Sequence, residues 1–382
     1  MKVFRNLGCF TLFTSLTAAQ CPVTTLISGL QTPLAITQSN QGNLLVSESG
    51  GVSPNTGQIS LIDPSGGRRI LIAGLPSGIN DVGMPSGPAG LFLRGRTLYV
   101  AIGVGDVGIA GPIPGSDLPN PHPSSPLFSS ILAVHFSADA EKVTDGFTLT
   151  AADQQALASG QKLILSNTGG DRMSIELVAN ILPDYVPKPL PGLPENVGLS
   201  NPFALVAVAD QLYVTDGGRN LVWRVDIPTG TYSILAEFPP VANPLFPAIG
   251  GPTEEAVPTG IIDFNGRLLV ALFRGAPFAP GTSVVEQVDP AGNHSPLING
   301  LKTAIAVLPI QSAQHNNYLV LQHASAGPFF GSPGLLLRFA SPAGPPTVIA
   351  NCLTRPTAMA LDEKTSTLYV TDLGGHVLRV SL

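Results

Sequence analysis

The sequence predicts an all-β chain folded as a six-bladed β-propeller, a ring of small four-stranded sheets. Three observations carry this expectation: an excess of turn formers, with Gly 42 and Pro 37 among 382 residues, a phrase that recurs about every fifty residues, and a first and last strand that complete one another. Gly and Pro recur every few residues, which disfavours long helices. A hydrophobic content of 44% is too high for a disordered chain, so the turns must separate short, packed elements.

The chain opens with Lys2 and Arg5, then the short apolar run Leu7 to Leu16, then the small residues Thr17-Ala18-Ala19. This order is that of a secretory signal peptide over residues 1–19, cleaved near Ala19, and it predicts a secreted or periplasmic protein. Residues 20–382 are then expected to form a single propeller domain. An acylated Cys21 is disfavoured because Gln20 stands where a small residue is needed.

The recurring phrase is a start at Pro followed by an alternating run, a turn, a β-rich run ending in Asp or Glu, and a third run. Its fullest copies are Asn201-Pro202-Phe203-Ala204-Leu205 with Gln211-Leu212-Tyr213-Val214-Thr215-Asp216 and Leu221 to Asp226, and Pro356 to Leu361 with Thr367-Leu368-Tyr369-Val370-Thr371-Asp372 and His376 to Val380. Weaker copies start at Pro33, Pro88, Pro258 and Ala304. The six starts lie 55, 114, 56, 46 and 52 residues apart. A period near fifty suits a propeller blade, which cannot bury both faces alone. The long gap predicts an insertion at about 137–170, with a helix starting at the capping-box-like Thr150-Ala151-Ala152-Asp153; the alternative is a seventh, degenerate blade using Lys162 to Gly170. The last copy stops after three strands, and Val23 to Leu30 resembles a fourth. The N-terminal strand is therefore expected to close the ring and cover its open edge.

Charge narrows the partners. The net charge is −6, or −8 once Lys2 and Arg5 leave with residues 1–19, and no basic cluster exceeds Arg68-Arg69. Nucleic acid is thereby disfavoured. No later apolar stretch reaches the roughly 20 residues of a membrane span, and a monomer is expected. Cys21 and Cys352 remain after export and permit one disulfide. The bond is possible but disfavoured, because a strand of half a dozen residues, about 20 Å long, would set the two cysteines on opposite faces of the ring.

The quoted phrases carry a family resemblance. Gly74-Leu75-Pro76-Ser77-Gly78-Ile79-Asn80, Ser200-Asn201-Pro202-Phe203-Ala204-Leu205, Val257-Pro258-Thr259-Gly260 and Ala276-Pro277-Phe278-Ala279-Pro280-Gly281-Thr282-Ser283 together resemble the ScyD/ScyE-type family of secreted propellers. The resemblance spans essentially the mature chain and implies a six-bladed ring related to NHL-repeat and gluconolactonase-like proteins. It implies no settled activity. The chain departs from the pattern at Lys302-Thr303-Ala304, where other copies have Pro, and in the length of the 137–170 insertion.

Propeller ligands dock on the face where second strands end. The candidates there are Glu48, Asp216 and Asp372 as ligands for Ca²⁺ or another divalent cation, and Asp106, Arg274, His323 and His376 as ligand-binding residues. The competing explanation for the aspartates is turn chemistry, with Asp216-Gly217-Gly218 and Asp372-Leu373-Gly374-Gly375 capping their own turns. Motifs for a serine nucleophile, a phosphate loop or a paired-histidine metal site are missing. The long loops Gly105 to Pro126, Pro239 to Pro258 and Ala324 to Gly334 offer Ile109, Ile113, Leu245, Phe246, Phe329 and Phe330 as contact surface or as lids. The expected function is an exported binding or scaffold module for a small molecule or protein partner. The alternative is a metal-dependent, lactonase-like hydrolase with its site at the channel mouth.

Overall fold

The computed structural model describes residues 21–142, 145–181, 183–311 and 316–382. The expected signal peptide lies outside these residues. No helix among them is long and apolar enough to cross a membrane.

Six blades form the ring, and their inner strands are Pro33–Gln38, Pro88–Arg94, Pro202–Val208, Pro258–Phe264, Ala304–Gln311 and Pro356–Asp362. Every predicted start is thus the first residue of an inner strand. Proline suits that position because a strand's first residue can forgo its N–H. Each inner strand then slips register within its first few residues, as between Pro33 and Ala35 or Pro356 and Ala358. These bulges turn each strand into the crowded centre.

The insertion falls between the third and fourth strands of blade 2. Its segment Phe147–Thr148 pairs in parallel with the outer strand Arg68–Leu75 of blade 1, and Leu163–Ser166 adds a fifth strand to blade 2. The helix Ala151–Ala158 lies between them, and Thr150 and Asp153 form the predicted capping box. Its Leu157 is fully buried in the seam between blades 1 and 2. A seventh blade is therefore not needed to explain the gap.

Six apolar clusters fill six seams. Leu98 and Ile59 pack between blades 1 and 2, Val214 and Ala133 between 2 and 3, and Val370 and Leu321 between 5 and 6. Alternating strand residues feed both neighbouring seams, so one blade's two faces belong to two cores. The ring closes as expected, with Val23–Ile27 antiparallel to His376–Ser381 in the last blade.

The cysteine expectation is corrected. Cys21 and Cys352 are joined in a disulfide, with Cα atoms 6.1 Å apart. The opposite-face argument treated the outer strands as upright. Twist of roughly 20–25° per strand accumulates over three steps to about 60–75°, which lays the outermost strands along the rim. The end of Thr347–Leu353 in blade 5 can then meet the start of the strand that completes blade 6.

Candidate functional site

The second-strand carboxylates are each consumed within their own blade. Glu48, fully buried, accepts from Gln31 N at 2.6 Å, from Ser60 Oγ and from Arg68 Nη2 at 2.6 and 2.9 Å. Asp216, also fully buried, accepts from Ser200 Oγ at 2.5 Å, Asn201 N at 2.7 Å, Trp223 Nε1 at 3.0 Å and the amides of Gly218 and Arg219. Asp372 takes His376 Nδ1 at 2.9 Å and the His376 amide. Burial raises its pKa, and His376 opposes that shift.

These positions are equivalent. Glu48, Asp216 and Asp372 pair with the first residues of their inner strands, Pro33, Pro202 and Pro356, and Gln322 holds the same place opposite Ala304. Gln322 Oε1 accepts Lys302 N at 2.8 Å, as Glu48 accepts Gln31 N. Glu48, Asp216 and Gln322 thus each satisfy a backbone N–H in the connection that enters their blade, whereas Asp372 is turned to His376. The expected metal set is not gathered. Among the described residues, no group of three or more His, Cys, Asp or Glu side chains is arranged to hold a metal ion.

A second set of polar contacts ties the six seams at this face. Ser47 Oγ donates to Ala89 O at 2.6 Å, Val104 N to Asn201 Oδ1 at 3.1 Å and Thr215 Oγ1 to Thr259 O at 2.6 Å. Thr259 Oγ1 donates to Ala304 O at 3.3 Å, His323 Nδ1 to Pro356 O at 2.9 Å and Thr357 Oγ1 to Pro33 O at 2.8 Å. His323 is thus a buried blade-to-blade tie, and burial lowers its pKa to about 4. Asp106 has a local task too, accepting from Ser124 N at 2.9 Å to hold its own loop. His376 serves Asp372.

Arg274 is different. It is 5% exposed, and its Nε donates to Thr282 O at 2.9 Å. It lines a cleft of about 670 Å³ set off the ring axis, between the entry loops of blades 2, 3 and 4. The axis itself is narrow. Inner-strand residues such as Leu91, Phe203 and Ile305 leave only a cavity of about 130 Å³. Gly90 and Gly260 permit that crowding, since a Cβ on either would stand 2.6 or 2.7 Å from a neighbouring carbonyl oxygen.

The cleft walls carry opposite charge. Asp81, from the loop entering blade 2, and Asp117, from the hairpin Gly108–Ala110 with Asp117–Pro119, line the cleft as neighbouring carboxyls. Burial first, and Asp81 second, raise the Asp117 pKa to about 6. Lys188 and Glu255 are paired at 2.9 Å, and Arg274 with Phe273 and Phe278 completes the opposite wall. Behind it, Phe278 stacks on Phe330 with centroids 4.6 Å apart. Lys302, whose pKa burial lowers, donates to the carbonyls of Phe278, Gly327 and Phe329, joining the two loops. The loops at 239–258 and 324–334 leave Phe246 and Phe329 about half exposed.

No protein-family model matches the chain, and no curated protein does. Solved structures of similar shape include a PQQ-bound aldose sugar dehydrogenase from Streptomyces coelicolor, at 15% identity and a TM-score of 0.48, covering 95% of this chain and 99% of that one. A gluconolactonase from Xanthomonas campestris shares 10% identity over 94% of this chain and 89% of its own, with a TM-score of 0.49. Virginiamycin B lyase from Staphylococcus aureus shares 13% over 94% and 98%, with a TM-score of 0.44. At such values the six-bladed ring rests on its own strand pairing.

Of the seven residues expected at a site, Arg274 is the one among the described residues that lines this cleft. Asp81, Asp117, Lys188 and Glu255 went unseen in the sequence. They lie in connections, outside the repeating phrase: Asp81, Lys188 and Glu255 in the entries to blades 2, 3 and 4, and Asp117 between the second and third strands of blade 2. The available signal was a carboxylate inside each of two Pro/Gly-rich loops, Asn80-Asp81-Val82-Gly83 and Gly115-Ser116-Asp117.

Proposed function

We propose that this protein is an exported binding propeller whose small-molecule ligand sits in the off-axis cleft. The observation that supports this most directly is the placement of Arg274, a guanidinium anchored among the described residues through its Nε, in a cleft of about 670 Å³ that the carboxyls of Asp81 and Asp117 also line. Concave sites with a few convergent polar groups on an apolar lining are where small ligands bind. The ScyD/ScyE-type resemblance fits such a role, with residues 1–19 directing export.

The test is a thermal-shift screen of small polar metabolites on the purified protein and on Gly217→Leu. Gly217 lines the cleft and has ordinary clearance, its nearest neighbour to an added Cβ being Val257 at 3.4 Å, so leucine fills the space without forcing the backbone. A ligand that stabilises the parent and not the variant supports the reading; equal response by both sinks it. N-terminal sequencing of exported protein tests cleavage near Ala19.

A further inference from the structure

We propose that the cleft binds a small zwitterion, with its ammonium on the Asp81–Asp117 wall and its carboxylate on Arg274. This rests on the cleft being the ligand site and adds the chemistry of what fills it.

Arg274 supplies the anion end. Its Nε is anchored, but its terminal nitrogens take part in no hydrogen bond among the described residues. The nearby acids do not fill that role. Glu254 is committed to Ala279 N at 2.8 Å and Thr282 Oγ1 at 2.7 Å, and Glu286 faces His294 at 3.3 Å. Neither makes an ion pair with Arg274 among the described residues. A guanidinium is a fork of donors, and the terminal nitrogens facing the cleft are open to an incoming acceptor. A ligand carboxylate is the group that fork matches, with two parallel N–H···O bonds.

The opposite wall favours a cation. Asp81 and Asp117 both line the cleft as neighbouring carboxyls, where two like charges repel. An ammonium beside them relieves that repulsion and donates to both. Lys188 is the nearby protein cation, and it is already turned to Glu255 at 2.9 Å. Val104, Leu199 and Val257 also line the cleft, an apolar stretch suited to the methylene chain of the ligand.

The charged groups lining the cleft are Asp81, Asp117, Lys188, Glu255 and Arg274. The Asp117 carboxyl gives up its proton near pH 6, so ammonium binding should strengthen as pH rises through that value. A ligand with only a carboxylate should weaken over the same range.

The experiment is calorimetric titration with ω-amino acids of increasing length, from glycine to 6-aminohexanoate. One length should bind best. Acetylating its amine or converting its acid to the amide should each weaken binding at least tenfold, and Asp117→Asn should weaken it about tenfold and remove the rise with pH. Arg274→Met should equalise the acid and its amide. Should that variant not fold, Asp117→Asn and the blocked analogues decide alone. Absence of binding by the whole series at millimolar concentration, or equal binding of blocked and unblocked forms, overturns the inference. A neutral or singly charged ligand lost in Gly217→Leu would overturn it too, while leaving the cleft as the ligand site; no ligand sensitive to Gly217→Leu would instead remove the reading beneath it.

Discussion

Asp216 and Asp117 are the same residue in opposite circumstances. Asp216 is fully buried and meets five donors from its own turn, the preceding connection and the neighbouring strand. Asp117 is half-buried in an open cleft and meets another carboxyl. The contrast shows that burial and a strand-end position do not make a carboxylate available to a ligand. A side chain whose lone pairs are all taken is part of the scaffold, and one held against a like charge retains capacity to bind.

The largest expected effect comes from removing the satisfied member. Asp216→Ala leaves the Trp223 indole N–H, the Ser200 hydroxyl and three amides without their acceptor, a loss of about 4 kcal/mol. Urea denaturation should show a lower midpoint at unchanged slope, and the folded fraction should bind cleft ligands with unchanged affinity. An altered affinity in folded Asp216→Ala would erase the distinction between the two aspartates.

The closure of the ring comes next. Val23–Ile27 and the Cys21–Cys352 bond fasten one end of the chain to the other, across 331 residues of sequence. A cross-link over so long a loop restricts the unfolded chain strongly, and its removal typically costs about 2–4 kcal/mol. Cys21→Ser with Cys352→Ser should therefore melt well below the oxidised parent, and reductant should lower the parent and leave the double variant unmoved. Equal melting of the two would mean that the strand pairing alone holds the closure.

Seam ties are weaker individually. Thr357→Val deletes the hydroxyl that joins blade 6 to Pro33 O at 2.8 Å and keeps the side-chain shape. One unmatched buried carbonyl costs about 1–2 kcal/mol. The change should appear in chemical denaturation with ligand affinity untouched.

What was legible in the residues follows the same division. Blade starts were readable because each inner strand obeys one local rule, proline or a small residue before an alternating run, and the ring repeats it. The helix was readable because Thr150 and Asp153 cap it within four residues. Arg274 was found because it lies two residues beyond the second strand Arg267–Leu272. Asp81, Asp117, Lys188 and Glu255 were not, since the cleft is assembled from loops whose meeting depends on the rotation from blade to blade. The disulfide escaped for a related reason: strand order is written in the sequence, whereas accumulated sheet twist is a property of the whole blade.

The smallest effect concerns the pH dependence of stability. The folded Asp117 pKa, about 6, lies above the unfolded value near 3.8, so its contribution is fully present below pH 3.8 and is lost as pH rises through 6. Asp184, raised to about 6 by burial, has the same sign. His323 has the opposite sign: its folded pKa near 4 lies below 6.5, so the folded state loses stability as pH falls from 6.5 toward 4. These slopes oppose one another in the parent. Asp117→Asn removes one descending arm, and stability should then rise with pH between 4 and 6 by about 1 kcal/mol more than in the parent, after discounting for solvent screening at a half-exposed site. Denaturation midpoints at pH 4.5 and 6.5 measure the difference. An Asp117→Asn profile parallel to the parent's would mean that water in the cleft already screens the two carboxyls, and would place Asp117 with the satisfied aspartates.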